Sequence, residues 1–346
     1  MYKAFIRPIL FLISPERVHH LIVFFIKIGF KIPFLPQLIK SIFTVKHSCL
    51  ERTIAGITFP NPVGLAAGFD KNATFYNEFS AFGFGSIEIG TVTPKGQTGN
   101  PKPRSFRLKT DKALINRMGF NNNGVEKAVK QLDKKHELIV GGNIGKNTLT
   151  PNETAYKDYL EVFQKLYSHV DYFVVNVSCP NISNLSKLQD QDMLEKILSE
   201  LIDFRKNQTI SRPIFLKISP DLNNSQVDET LDIVAKTNID GLVVANTTVS
   251  RDGLKTSVDT VEAIGNGGLS GLPIRDRSTE MIRYISKKTN SELPIIGVGG
   301  IMSAQDAIDK LTAGATLVQV YTGFIYEGPA LVKRINKAIL STESIV

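Results

Sequence analysis

From residue 50 onward, short apolar runs rich in β-branched residues alternate with helical patterns, and this alternation limits the available folds more than any other feature of the chain. The strand candidates are 63–67, 86–91, 138–143, 172–177, 213–218, 241–245, 294–298 and 316–320. Helical stretches follow them at 73–82, 122–136, 152–169, 190–207, 224–237, 274–289, 303–313 and 328–340. Eight strand–helix units in unbroken order point to an α/β fold, a closed parallel (β/α)8 TIM barrel. An open, doubly wound sheet is the alternative that the same alternation permits. The 346 residues suit one barrel domain, 47–346, carrying an appendage, 1–46. Two connections are long, 92–121 and 247–272, and in a barrel both lie on the face where strands end and active sites are built.

The appendage reads as short amphipathic helices, the first over 2–13. Ser14-Pro15-Glu16 is a start signal for the second: a capping hydroxyl, a proline in the first turn and an acid facing the helix dipole. Val18, Leu21, Ile22, Phe24, Phe25 and Ile28 follow, Pro33 and Pro36 break the pattern, and Leu38, Ile39, Ile42 and Phe43 give a third helix its apolar face. No uncharged run here approaches the roughly 20 residues that span a bilayer. Pro15-Glu16-Arg17 ends the first apolar run too soon for a secretory signal. Lys3, Arg7, Arg17, Lys27, Lys31, Lys40 and Lys46 stand against Glu16 alone, so most of the chain's net charge of +8 sits in this segment. A nucleic-acid binder would spread its charge over the domain. Charge concentrated on an apolar segment fits an anionic membrane surface instead. Two readings stay open: a helical cap packed on the barrel, or a membrane-associating extension lying in the lipid interface.

The remaining composition mainly excludes. At 42% hydrophobic and 21% charged residues the chain is neither disordered nor fibrous. Cys49 and Cys179 make no disulfide framework and suit a reducing, intracellular compartment. His19, His20, His47, His136 and His169 all avoid the strand ends, which argues against histidine acid–base chemistry, catalytic triads and histidine-ligated metals. No metal site is expected.

What a catalyst would need does fall at the strand ends. Gly299-Gly300 and Gly323 follow the last two strands, where barrels bind phosphate through approaching backbone amides, and Gly267-Gly268 in the preceding long loop adds donors. A single glycine pair would be ordinary turn chemistry. Asn116, Asn143, Asn176, Asn181 and Asn246 each offer a donor and an acceptor without charge, which together suit a planar ring with alternating N–H and C=O groups, a pyrimidine or a flavin. Asparagine is also a common turn residue, but Asn176 lies inside an apolar strand, where an amide needs a partner. Lys71 and Lys217 are either anion partners or Schiff-base nucleophiles, with Lys217 in an apolar run and Lys71 open to the plainer reading of a solvated loop charge. Cys179, in a polar loop, is a general base, a nucleophile or an inert thiol.

The stretches Asn116-Arg117-Met118-Gly119-Phe120-Asn121, Asn143-Ile144-Gly145-Lys146-Asn147, Asn176-Val177-Ser178-Cys179-Pro180-Asn181, Gly267-Gly268-Leu269-Ser270-Gly271 and Gly297-Val298-Gly299-Gly300-Ile301 resemble those of dihydroorotate dehydrogenases, in order and over essentially the whole chain. The N-terminal helices are similar to those of the quinone-dependent, membrane-associated class 2 enzymes. The resemblance implies FMN at Ala67, Gly68, Lys71, Thr91, Asn143, Asn176, Lys217, Ala245, Gly268, Gly300, Tyr321 and Thr322, the last three holding its phosphate. It implies dihydroorotate at Lys71, Asn116, Arg117, Met118, Gly119, Phe120, Asn176, Asn181, Asn246 and Thr247, with Cys179 as the base that removes the C5 proton. A membrane quinone would reach the flavin between the helices and the barrel, past Arg107, Tyr321, Arg17 and His19. The chain departs from the pattern twice. Class 2 enzymes usually carry serine at the base position and class 1 enzymes cysteine, and many relatives have threonine where Ala245 stands. The missing hydroxyl should weaken flavin binding by about 1 kcal/mol. The implied protein is a peripheral enzyme, with a monomer as the expected unit, on the cytoplasmic side of a bacterial-type inner membrane. Three other readings remain: a soluble class 1-like enzyme with another acceptor, a barrel aldolase using Lys217 as Schiff base, and a non-enzymatic membrane-binding module.

Overall fold

The computed structural model describes residues 2–132, 138–177 and 188–343. Eight parallel strands close into a barrel: β1 (Val63–Asp70), β2 (Ser86–Val92), β3 (Ile139–Ile144), β4 (Tyr172–Asn176), β5 (Ile214–Ile218), β6 (Gly241–Val244), β7 (Ile295–Val298) and β8 (Leu317–Val320). Neighbours in the barrel are neighbours in sequence, and β8 pairs with β1 to complete it. Almost every strand residue is buried, as expected where one strand face meets the barrel interior and the other meets helices. The open-sheet alternative is excluded by that closure. Register places the site residues side by side: Asn176 pairs with Lys217, and Val174 with Asn143. The N-terminal end is filled by the hairpin Arg52–Ile54/Ile57–Phe59, whose Ile54 and Phe59 pack with Tyr172, Phe215 and Leu317.

Three expected helices differ, and the long connections are not plain loops. The helix expected over 73–82 is a single turn, Glu78–Phe82, because the buried Asp70 carboxylate accepts the backbone N–H groups of Thr74 and Phe75 and holds the preceding segment in a turn. The helix expected from 122 begins at Val125, since Asn122–Gly124 pairs with Lys95–Gln97. The last helix, Ala330–Glu343, is preceded by a separate one, Thr322–Glu327, with Gly328 at φ +78° between them. The two long connections contribute an antiparallel three-stranded sheet, Ser105–Leu108, Ala113–Asn116 and Gly268–Gly271, which stands over the barrel mouth.

At the N-terminus the chain forms helical turns over Tyr2–Leu10, then α1 (Pro15–Gly29) and α2 (Leu35–Phe43). Ser14 makes no side-chain cap, and the acid of the first turn serves elsewhere: Glu16 Oε1 lies 2.7 Å from Arg104 Nη2, tying α1 to the barrel face. Pro36 lies in the first turn of α2, so it starts that helix rather than ending the one before. Further ties are Lys3 to Glu327 at 2.6 Å, the Tyr2 hydroxyl donating to Ile325 O at 2.6 Å, and Arg107 Nη1 donating to Ile13 O at 2.6 Å. Phe30 and Phe43 pack on Phe82. No single described helix is long and apolar enough to cross a membrane; Tyr2–Leu10 and Pro15–Gly29 pass together only as a pair bent by 119°.

Candidate functional site

A cavity of about 1630 Å³ runs from the C-terminal mouth of the barrel to the inner faces of Tyr2–Leu10 and α1. Its barrel side is built by strand ends. β1 peels out of register after Leu65, and Ala67, Gly68 and Lys71 line the cavity beyond that point. Thr91 comes from the end of β2, Asn176 from β4, Lys217 from β5, and Ala245, Asn246 and Thr247 from the end of β6. Gly299 and Gly300 follow β7, and Tyr321 and Thr322 follow β8. The three-stranded sheet adds Asn116 and Gly268, and the turn after it adds Arg117, Met118, Gly119 and Phe120. Gly119 and Phe120 are both left-handed, at φ +67° and +49°, and Gln97 Nε2 holds the pair by donating to Gly119 O at 3.0 Å. Arg117 spends its guanidinium on the loop, donating to Ile264 O and to Asn266 O at 2.8 Å and lying over the Phe106 ring.

The floor is a continuous amide chain. The Thr91 hydroxyl donates to Asn143 Oδ1 at 2.6 Å and accepts from Asn176 Nδ2 at 3.0 Å. Asn246 Nδ2 donates to Asn176 Oδ1 at 3.2 Å, and the Thr247 backbone N–H to Asn246 Oδ1 at 2.9 Å. Asn143 is fully buried and lies beneath the cavity wall rather than in it. Its Nδ2 donates at 2.8 Å to Glu88, which Gln319 also contacts through Nε2. Sequence reasoning missed Glu88 and Gln319, although both carry the signal that singles out Asn176 and Lys217, a polar residue inside an apolar strand.

The glycines after β7 are required by geometry. Gly300 has φ +72°, and a Cβ there would collide with the Arg275 backbone. A Cβ on Gly268 would collide with the Thr247 hydroxyl. At both positions only glycine lets the neighbouring chain pack this closely beside the cavity. The Tyr321 hydroxyl donates to Gly68 O at 3.4 Å, and burial pushes its pKa up to about 12, so it stays a neutral donor. Thr322 Oγ1 and Ser270 Oγ share a hydrogen bond of 2.8 Å.

Both lysines sit in confined surroundings. Burial, then the nearby Arg104 charge, lowers Lys71 to about 8, against the pull of Glu16. Burial also lowers Lys217, and the Glu88 charge opposes it. On the helix side, His19 meets Phe69 at 5.2 Å and Phe75 at 5.7 Å between ring centres. Burial, with the charges of Lys71 and His20, lowers His19 to about 4, so it is neutral at pH 7. Arg107 lies over the Phe11 ring at 4.5 Å, and its buried Nε has no partner among the described residues. Val18, Ile22, Val23 and Ile26 complete an apolar entrance. Arg17 is exposed and lies outside the cavity lining. Cys179 and Asn181 lie outside the described residues. No group of three or more His, Cys, Asp or Glu side chains among the described residues could hold a metal.

This arrangement suits a planar, hydrogen-bonding ring with a phosphate, an anionic second ligand at Lys71, and an apolar third partner entering between helix and barrel. The chain is similar to known proteins over nearly its whole length. The family model "Dihydroorotate dehydrogenase" matches residues 49–342. A "Dihydroorotate dehydrogenase (quinone)" of Christiangramia forsetii is 54% identical over 98% of this chain and 99% of its own length. One from Nostoc punctiforme is 46% identical over 99% and 94%. A crystal structure of DHODH from Eimeria tenella with ferulenol superposes with a TM-score of 0.84 at 35% identity, covering 96% of this chain and 93% of that one.

Proposed function

The chain belongs to the dihydroorotate dehydrogenase family, and on that premise we propose how its cavity divides the work among flavin, substrate and quinone. The overall activity is oxidation of (S)-dihydroorotate to orotate in pyrimidine biosynthesis, with a quinone as electron acceptor. The observation that carries the division is the single cavity, walled by strand ends on one side and by the N-terminal helices on the other.

The flavin is FMN. The residues fit it: the Gly300 turn with Tyr321 and Thr322 would hold the phosphate, and Ala67, Gly68, Thr91, Asn176, Lys217, Ala245 and Gly268 would surround the ring, with Asn143 supporting from below. FMN, when bound, supplies the hydride acceptor for C6 of dihydroorotate and returns the electrons to the quinone. Lys71 is placed to pair with the substrate carboxylate. Asn116, Asn176, Asn246 and Thr247 present donors and acceptors to the pyrimidine ring, and the turn through Met118 and Phe120 walls it in. Cys179 takes the C5 proton on Sγ. His19, Arg107 and Tyr321 border the quinone path, where a neutral His19 keeps the entrance without charge.

Outside the cavity, Phe24, Phe25, Phe34 and Leu38 are 58%, 58%, 82% and 56% exposed. These outward apolar side chains, with Lys27, Lys31 and Lys40 in the same segment, support peripheral attachment of residues 1–46 to the cytoplasmic leaflet of an inner membrane. The barrel, 47–346, is then the catalytic unit.

Orotate formation measured with a quinone, with fumarate and with NAD as sole acceptors tests the assignment. Turnover with the quinone alone is expected, and turnover with fumarate or NAD but not with quinone would assign the soluble class 1-like reading. The same preparation tests Lys71. Its charge is present below about 8 and lost as the pH rises through that value, so orotate affinity should fall across that range. Lys71→Met should weaken orotate binding by about 10- to 100-fold at pH 7 and flatten this pH dependence. A Lys71→Met protein with wild-type affinity would remove the anion-pairing role.

A further inference from the structure

We infer that Glu88 is a positioning residue: its buried carboxylate sets the direction of the hydrogen bonds along the amide chain that faces flavin and substrate. The inference rests on the flavin reading above. Glu88 has no exposed surface and sits between Ile87 and Ile89 in β2. A carboxylate accepts hydrogen bonds and donates none. Asn143 must therefore turn Nδ2 toward Glu88, at 2.8 Å, and present Oδ1 upward. That oxygen takes the Thr91 proton at 2.6 Å, which leaves the Thr91 oxygen as an acceptor for Asn176 Nδ2 at 3.0 Å. Asn176 Oδ1 is then committed to Asn246 Nδ2, and Asn246 Oδ1 to the Thr247 N–H. Amides and hydroxyls can each be reversed without changing shape, so a chain of them has two polarities. Only its ends are fixed. One end is the Thr247 N–H, a contact between chain neighbours in a half-buried loop. The other is Glu88, fully buried in the barrel interior. A reversed chain would exchange the donors and acceptors it presents to a pyrimidine or flavin edge, and mismatched buried polar groups are costly.

The orientation effect can be separated from the effect of charge. Gln319 donates to the other Glu88 oxygen, and its own Oε1 is buried without a partner among the described residues. In a Glu88→Gln variant, Gln319 can turn its amide to accept from the new NH₂, leaving the glutamine oxygen for Asn143. Charge is lost and polarity is kept. Glu88→Met has similar length but offers Asn143 no acceptor, so nothing fixes the chain from below.

The experiment compares the wild-type, E88Q and E88M proteins by FMN affinity of the apoproteins, by orotate affinity of the flavin-loaded proteins read from the flavin absorbance change, and by thermal unfolding. E88Q is expected within about threefold of wild type for both ligands, and E88M weaker by roughly tenfold or more. E88M binding both ligands as tightly as wild type would overturn the inference. So would E88Q falling as far as E88M, since the charge would then be what matters. Should E88M fail to fold, Asn143→Asp alone and combined with E88Q decides the matter. In the combined variant the introduced carboxylate still accepts from Thr91 and Asn176, and the introduced amide can donate to it. The double variant is therefore expected to bind orotate more tightly than Asn143→Asp alone, where two carboxylates face each other. Absence of that rescue would overturn the inference. A wild-type protein that takes up neither FMN nor orotate would overturn the functional reading and this one together.

Discussion

Replacing Cys179 by alanine is expected to slow orotate formation by about 10²–10⁴-fold, the usual worth of a positioned general base, while FMN stays bound. The expectation follows from the motif Asn176-Val177-Ser178-Cys179-Pro180-Asn181, whose first residue, Asn176, ends β4. The serine variant is the more discriminating test. An ordinary thiol loses its proton near pH 8.5, whereas a hydroxyl holds its proton far more tightly. Cys179→Ser should therefore shift the rise of the flavin-reduction rate to higher pH by at least about one unit, provided the thiol is the group that titrates. Stopped-flow reduction by dihydroorotate across pH measures this without interference from the quinone step. A serine variant with unchanged rate and unchanged pH dependence would show that Cys179 is not the base.

Removing residues 1–45 should separate the two half-reactions. The barrel holds every residue assigned to FMN and dihydroorotate, so flavin reduction is expected to remain within about threefold of the full-length rate. Quinone reduction is expected to fall by roughly tenfold or more, because the apolar wall formed by Val18, Ile22, Val23 and Ile26 is lost and burial of even one such side chain is worth about 1.5 kcal/mol or more. The ties of Glu16 to Arg104 and of Arg107 to Ile13 are lost at the same time, which frees the barrel side of the entrance. Equal quinone turnover by the two proteins would take the helices out of the electron-transfer path and leave them as a cap.

Much of this is legible in the sequence because barrel strands bury both faces. A run such as Tyr172–Asn176 has to be apolar, so the polar residue at its end stands out. The same reasoning reaches Asn176 and Lys217, and the glycines at the ends of β7 and β8 are equally visible. Glu88 and Gln319 carry the same mark but lie in mid-strand rather than at a strand end, Glu88 shut off from the cavity and Gln319 on its lining. Other features are not legible in principle. In the antiparallel sheet, Gly268–Gly271 pairs with Ala113–Asn116 from about 150 residues away, and no local pattern encodes that pairing. The turn in place of a helix before Glu78 depends on the Asp70 carboxylate capturing two backbone N–H groups, a tertiary choice. Asn143 reads as a ligand contact and lies beneath the wall, since its position is set by partners on β2 and β4. Arg17 reads as a lining residue, but the rotation of α1 places His19 toward the cavity and Arg17 toward solvent.

The most direct test of the account is an anaerobic titration of the full-length protein, followed by absorbance at the flavin band. The purified protein should be yellow, should bleach when dihydroorotate is added, and should recover its colour when a quinone follows. A colourless protein that cannot take up FMN, or a yellow one that dihydroorotate leaves unchanged, would contradict the gathering of Ala67 to Thr322 around one flavin at the barrel mouth.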